Sequence, residues 1–124
     1  MGGKNETPHA NDSVRCLTVT TISLLAGKWT ISIILALADG KRRFAALQRL
    51  LPGISHHVLA KELKRLQTHE IIVRAVYPTT PPSVEYELTR SGIALHTVLH
   101  AAAEWAANYL NKTIPAIGDT KVTR

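Results

Sequence analysis

Residues 44–68, FAALQRLLPGISHHVLAKELKRLQT, contain two amphipathic helical patterns separated by a short turn. The apolar residues of the first pattern recur at helical spacing and are Phe44, Leu47, Leu50 and Leu51. Pro52 and Gly53 end this helix, because proline cannot continue a helix and glycine favours a turn. Ser55 can then cap a second helix, whose predicted buried stripe consists of Leu59, Leu63 and Leu66. A helix, a tight turn and a second helix form the helix-turn-helix pattern.

The segments upstream of this motif predict two further helices. Residues 17–25 form a short apolar segment, residues 27–28 interrupt it, and residues 29–37 form a strongly apolar segment that ends at residues 39–40. A glycine directly after an apolar segment is a common helix stop. Two helices packed against each other are therefore expected before the motif.

The segments downstream predict a wing and a long last helix. Residues 71–77 are rich in β-branched side chains, residues 79–82 break the pattern and residues 84–88 alternate, which indicates a two-stranded hairpin. The last helix opens after residues 89–92. Its apolar residues recur at coiled-coil-like spacing, and we call this set the apolar stripe: Leu95, Val98, Leu99, Ala102, Trp105, Ala106 and Tyr109.

The apolar stripe is wider than one small domain needs, which predicts a partner helix across a dimer interface. The predicted fold class is therefore mainly α with a small β-hairpin wing, a winged helix-turn-helix that is dimeric through terminal helices. The length of 124 residues fits one core. Because the ends show no apolar periodicity, we expect mobile tails over residues 1–14 and 112–124 and one DNA-binding and dimerisation domain over residues 15–111.

The charge balance and the cysteine content restrict the partners and the compartment. Fifteen Lys and Arg residues against 9 Asp and Glu give a formal net charge of +6, so the field attracts polyanions and double-stranded DNA is the first partner to consider. No apolar run approaches the length of about 20 residues that a membrane helix needs, and no membrane partner is predicted. The only cysteine is Cys16, which excludes an intrachain disulfide and favours a reducing cytoplasm.

The helix that follows Ser55 carries the residues expected to meet DNA. Projected as a helix, the face opposite the leucines consists of His57, Lys61, Lys64 and Thr68, with Arg65 alongside. A recognition helix places its N-terminal part against base edges, so His57, Ala60 and Lys61 are expected to read sequence. Lys64 and Arg65 are expected to reach phosphates.

Other residues around the motif are expected to contact the DNA backbone. Lys28, Arg42 and Arg43 lie where earlier elements of such a domain cross the phosphates. His56 projects toward the edge of the buried stripe, where packing is the commoner role, and the predicted wing tip carries no basic residue. The complete predicted set is Lys28, Arg42, Arg43, Ser55, His56, His57, Lys61, Lys64, Arg65 and Arg74.

The chain resembles the HxlR-type winged helix-turn-helix regulators over residues 16–110. The motifs that carry the resemblance, in family order, are Cys16, LLAGKWT at 24–30, DG at 39–40, RF at 43–44, LPGIS at 51–55, the leucines at 59, 63 and 66, PP at 81–82, VEY at 84–86, LT at 88–89 and Gly92. The resemblance implies a prokaryotic homodimer that binds a pseudo-palindromic operator through terminal-helix dimerisation, and in some members a sensory cysteine near the N-terminus. Two positions depart from the pattern: Ser83 stands where a basic residue is common, and Glu70 where a glycine commonly ends the recognition helix.

The predicted function is therefore a sequence-specific transcriptional regulator, repressor or activator, that is not an enzyme and needs no metal or cofactor. Cys16 is the candidate sensor of a small electrophile or oxidant, because a thiol at the start of a helix and beside Arg15 has its reactive thiolate favoured. The alternative for Cys16 is plain packing, since free cysteine is among the most buried residue types.

Two other functions stay open at this stage. A winged helix can serve as a protein–protein adaptor, with Trp29 or Trp105 as its anchor. A metal-responsive regulator or a zinc enzyme would use His96, His100 and Glu104, which are spaced four residues apart on one helix. No glutamate lies between these histidines in the position that a hydrolytic zinc motif requires.

Overall fold

The computed structural model describes residues 10–110, so the predicted tails lie outside the described residues except for residues 10–14. In chain order the elements are α1 (Ala10–Leu25), α2 (Thr30–Leu37), β1 (Arg42–Arg43), α3 (Phe44–Leu50), α4 (His56–Thr68), β2 (Ile72–Tyr77), β3 (Ser83–Leu88) and α5 (Arg90–Tyr109). The described chain is mainly helical with a small antiparallel sheet, which confirms the predicted winged helix-turn-helix. Dimerisation stays a prediction.

The helix-turn-helix consists of α3 and α4. The Ser55 hydroxyl accepts a hydrogen bond from the Val58 backbone N–H at 3.1 Å, so the predicted cap of α4 is confirmed. Leu59, Leu63 and Leu66 are all buried, as the helical spacing predicted. They join one core whose other buried apolar members are Leu25, Ile33, Ile34, Leu37, Leu47, Leu51, Ile54, Ile71, Ile72, Tyr86 and Leu88.

The sheet has three strands in the order β1-β3-β2, one more than the hairpin predicted from sequence. Strands β2 and β3 pair antiparallel from Ile72 opposite Leu88 to Tyr77 opposite Ser83. The additional strand β1 pairs Arg42 with Tyr86. Two residues are too few to show an alternating pattern in the sequence. Strand β1 is a strand because its backbone pairs with β3.

Helix α1 begins at Ala10 rather than inside the segment 17–25. Residues 10–14, which the sequence assigned to a tail, are helical. The helix is exposed along most of its length and is anchored at its end by Leu25 in the core. Its exposed large apolar side chains are Val14, Leu17, Val19 and Ile22.

The junction between α4 and β2 contains the one described non-glycine residue with positive φ, Glu70 at 58°. The Glu70 N–H donates to the Gln67 carbonyl and the Ile71 N–H donates to the Leu66 carbonyl, each at 2.9 Å. These two bonds are the Schellman pattern, in which the left-handed position favours glycine. Glu70 occupies this left-handed position. The conformation explains why the regulators that the chain resembles commonly have a glycine there.

Among the described helices, none is by itself long and apolar enough to cross a membrane. Helices α1 and α2 reach the length and apolar composition of a membrane span only when taken together. The chain bends by 84° at the break between them.

Candidate nucleic-acid interface

The outer face of α4 is exposed and cationic. His57, Lys61, Lys64 and Thr68 are all exposed, on the side opposite the buried leucines. Within residues 10–110 neither Lys61 nor Lys64 has a carboxylate within ion-pair distance, so both ammonium groups are available to an anion. The predicted arrangement of this face is thus present for these residues. Their contact with DNA stays a prediction.

The start of α4 places Ser55 and His56 beside α3. The His56 ring lies 4.5 Å from the Phe44 ring at 43°, while the residue as a whole is exposed. His56 therefore packs on the first residue of α3 and still faces solvent. The Ser55 oxygen is the cap acceptor, and its hydroxyl hydrogen is free to donate to an anion.

Arg65 lies differently from the expectation that it would reach phosphates. Its Nη2 donates to the Thr30 hydroxyl at 2.7 Å and to the Leu24 carbonyl at 3.4 Å. Both Nε and Nη2 also donate to Glu62 Oε1 at 3.3 Å. Nε and Nη2 are thus bonded within the protein, which a helical projection could not foresee. The contact of Arg65 with a phosphate stays a prediction.

Among the other predicted phosphate contacts, Arg42 is also held by the protein. Its Nε donates to the Ala36 carbonyl at 2.8 Å, and Nη2 lies 4.0 Å from Asp39. Arg43 is more exposed, with Nε 3.8 Å from a Glu85 carboxylate oxygen. Lys28 is exposed, and its ammonium lies 5.3 Å from the centre of the Trp29 ring. Of these side chains, Arg43 and Lys28 are the better placed to meet a phosphate.

Lys41, directly before β1, is a cation beside the wing that the sequence did not predict. Its ammonium donates to the Tyr77 hydroxyl at 3.1 Å and lies 3.8 Å from a Glu85 carboxylate oxygen. The hydrogen bond with Tyr77 raises the pKa of Lys41 above its ordinary value, which further favours the cationic form. Lys41 and Arg43 line a cleft of about 560 Å³ that the wing loop closes with residues 79–83. The wing tip lacks a base of its own, but β1 and the residue before it bring Arg43 and Lys41 beside it.

Arg74 is exposed on β2, opposite Tyr86 of β3 in the sheet register. It lines a second cleft, of about 620 Å³, near the start of α5 and away from the wing tip. Arg74 therefore remains a candidate for the root of the wing.

The apolar stripe of α5 is divided between the core and the surface. Leu95 and Leu99 are partly buried and pack against the core. Trp105 is 55 % and Tyr109 70 % exposed, with ring centres 6.2 Å apart. The stripe thus continues beyond the part of α5 that the domain itself covers.

The structure does not gather three metal ligands around the histidines of α5, among the residues it describes. In the described part of the chain, no group of three or more His, Cys, Asp or Glu side chains could hold a metal ion. His100 Nδ1 lies 3.7 Å from a Glu104 carboxylate oxygen, and both side chains are exposed. The alternative that relies on these residues therefore finds no support.

Cys16 is a free, exposed thiol in the second turn of α1. Its expected place at the start of a helix is wrong, because α1 begins six residues earlier. The field of a helix terminus falls off within the first turn, and Cys16 lies beyond that turn. Arg15 is directed toward Asp12, at 3.9 Å.

Comparison with known proteins identifies the same motif. Residues 24–114 match the model of the HxlR-like helix-turn-helix family. The chain is 38 % identical over 100 residues to the HTH-type transcriptional regulator YtcD of Bacillus subtilis (strain 168), covering 81 % of this chain and 77 % of YtcD.

Solved structures share the fold. The crystal structure of diamide-treated YodB from B. subtilis is 40 % identical with a TM-score of 0.66, covering 73 % of this chain and 89 % of YodB. Quinone-bound YodB is 36 % identical with a TM-score of 0.66, covering 74 % and 96 %. A transcriptional regulator of the MarR family from Enterococcus faecalis V583 is 30 % identical with a TM-score of 0.75, covering 87 % and 96 %.

Proposed function

Because the chain belongs to the HxlR-like helix-turn-helix family, we propose that this transcriptional regulator binds a pseudo-palindromic DNA operator as a homodimer, in the cytoplasm of a prokaryote. The observation that carries the proposal is the exposed outer face of α4, where Lys61 and Lys64 have no carboxylate partner within residues 10–110. An adaptor has no need of unpaired cations on that face. Duplex DNA would offer base-edge acceptors to Lys61 and phosphates to Lys64.

We expect Lys61 and Lys64 to contribute differently to DNA binding. Replacing Lys61 with alanine should weaken operator binding by about 1–3 kcal/mol and change binding to random duplex less, because the N-terminal part of α4 faces base edges. Replacing Lys64 with alanine should weaken binding to both duplexes and lower the salt slope by about one. Fluorescence anisotropy titrations measure both effects. They are run between about 50 and 200 mM salt, a range over which phosphate contacts make affinity depend steeply on salt.

The operator for these titrations can be selected from a random-sequence library with the wild-type protein. Equal losses of Lys61→Ala on the operator and on random duplex would make Lys61 a phosphate contact. A wild-type affinity that does not change with salt would contradict the proposed interface altogether.

Dimerisation is proposed from the apolar surfaces of α1 and α5. Large apolar side chains are exposed on both helices, with Val14, Leu17 and Ile22 on α1 and Trp105 and Tyr109 on α5. Large apolar side chains exposed in number on a small domain typically mark an interaction site. A two-fold dimer would cover it and would set two α4 helices roughly 34 Å apart for successive major grooves.

A response to oxidants or electrophiles is proposed from Cys16. The thiol is exposed on a helix whose apolar side chains are expected at the dimer interface. The related YodB has been solved after diamide treatment and with bound quinone, which supports a similar class of signal for this chain. Since Cys16 is the only cysteine, any disulfide joins two chains or captures a small thiol.

Diamide treatment of the wild-type protein should lower operator affinity by on the order of tenfold, the usual size of coupling between two sites. Two thiols lose two electrons and two protons to diamide as the disulfide forms, and mass spectrometry identifies the product at Cys16. Cys16→Ser should keep the untreated affinity and ignore diamide. If the serine variant responds as the wild type does, or the wild-type thiol stays unmodified, Cys16 is not the sensor.

A further inference from the structure

Arg65 connects α4 by hydrogen bonds to the end of α1 and the start of α2. Its acceptor, the Thr30 hydroxyl, belongs to a residue that is 0 % exposed, and the Nη2 to Oγ1 distance is 2.7 Å. The Arg65 side chain itself is 33 % exposed. A partly buried, charge-assisted hydrogen bond of this kind is short and geometrically specific.

This contact joins three helices at one point. Thr30 opens α2, and the Leu24 carbonyl, which also accepts from Arg65, lies in the last turn of α1. Gly27 makes room between the two helices, because a Cβ there would lie 2.6 Å from Thr30 Oγ1 and 3.6 Å from Arg65 Nη2. The recognition helix is thus connected directly to the junction of α1 and α2.

The Glu62 carboxylate also holds the side chain of Arg65 in place. The Glu62 side chain is 18 % exposed, and its Oε1 accepts from both Nε and Nη2 of Arg65. A guanidinium has a planar fork of donors, so it can hold a carboxylate, a hydroxyl and a carbonyl at once. A lysine ammonium offers no such fork.

From this geometry we propose that Arg65 is a positioning residue for DNA recognition, which sets α4 against the junction of α1 and α2 and does not itself contact DNA. The inference rests on the proposed operator binding and deepens it. Removing the contact frees α4 to shift, so His57 and Lys61 lose their alignment with base edges while no phosphate contact is lost. Because α1 carries Cys16, the same contact connects the helix of the thiol with the recognition helix.

The test compares Arg65→Met, Arg65→Lys, Thr30→Val and Thr30→Ser with the wild type. Valine keeps the shape of threonine and removes the acceptor, whereas serine keeps the hydroxyl. Each protein is titrated with the duplex that the wild type selects from a random library and with random duplex, over a range of salt concentrations. Circular dichroism and urea unfolding report the folded fraction, to which every affinity is normalised.

We expect Arg65→Met and Thr30→Val each to lose about tenfold in operator affinity, with the double variant no worse than either single one. Random-duplex affinity and the salt slope should stay at wild-type values. Thr30→Ser should keep the operator affinity, and Arg65→Lys should regain only part of it. Lys64→Met, on the same helix, is the comparison that should lower both affinities and the slope.

Three results would overturn the positioning role. A salt slope lower by about one in Arg65→Met, with equal losses on both duplexes, would make Arg65 a phosphate contact. Full recovery in Arg65→Lys would show that its charge suffices. Unchanged operator affinity of the folded Arg65→Met and Thr30→Val proteins would show a purely structural contact. Failure of the wild type to select any sequence would instead contradict the proposed function, and the inference with it.

Discussion

A Trp105→Glu variant is expected to have the mass of a monomer in light scattering and to lose operator affinity by about 100-fold or more, since the second half-site is no longer bound intramolecularly. Trp105 is 55 % exposed and lies on the part of the apolar stripe that its own domain leaves uncovered. A carboxylate placed there would have to be buried without a partner at a dimer interface, which is strongly unfavourable. The monomer should remain folded, because Trp105 is not a core residue.

The choice of position matters for this experiment. Leu99 belongs to the same stripe but packs against the core of its own domain, so a charge there would also damage the fold. Ala107 is exposed on the opposite side of α5, and Ala107→Glu should leave mass and binding unchanged. A dimeric mass for Trp105→Glu would show that α5 does not form the dimer interface. A monomeric mass with undiminished operator affinity would contradict the dimeric mode of binding.

Local patterns in the sequence were sufficient for the helix-turn-helix. The leucines of α4 follow the helical period and are all buried, and Ser55 caps the helix as its position before that period predicts. Such features depend on residues within a few positions of one another. The outer face of α4 could be predicted for the same reason, because it lies opposite the buried leucines.

Contacts between distant parts of the chain could not be predicted in this way. Arg65 bonds to Thr30, 35 positions away, and to Leu24, 41 positions away. A helical projection places Arg65 at the border of the exposed face and cannot show that its long side chain bends toward the core. Arg42 is held by the Ala36 carbonyl in a similar way, and Lys41 gains its role only because β1 pairs with the wing.

The first helix illustrates a third case. Residues 10–14 have no apolar periodicity, and the helix exposes most of its side chains, so its start at Ala10 leaves little signal in the sequence. Its exposed threonines donate to carbonyls four residues earlier, as Thr20 does to Cys16 at 2.9 Å. These bonds are compatible with a helix but do not specify one.

The junction of α4, β2 and α5 should be the most sensitive point of the fold to a single methyl group. Gly92 is buried in the first turn of α5, where a Cβ would overlap the Ile71 carbonyl oxygen and approach Leu88 Cδ2 to 3.0 Å. The Ile71 carbonyl cannot retreat freely, because it accepts the Thr89 N–H at 3.0 Å. Thr89 in turn caps α5, accepting from the Gly92 N–H at 3.0 Å.

Gly92→Ala is therefore expected to lower the free energy of unfolding by about 3 kcal/mol, the upper part of the range for overpacking a rigid site. Glu70→Gly, at the other end of the same junction, should raise it by about 1 kcal/mol, because glycine adopts the left-handed conformation without the cost that Glu70 bears at φ 58°. Urea unfolding at one fixed protein concentration measures both, since association contributes to the stability of a dimer. If Gly92→Ala has the stability of the wild type, α5 can move away from Ile71. The close approach of Gly92 to the Ile71 carbonyl would then not be the contact that fixes α5 to the end of α4.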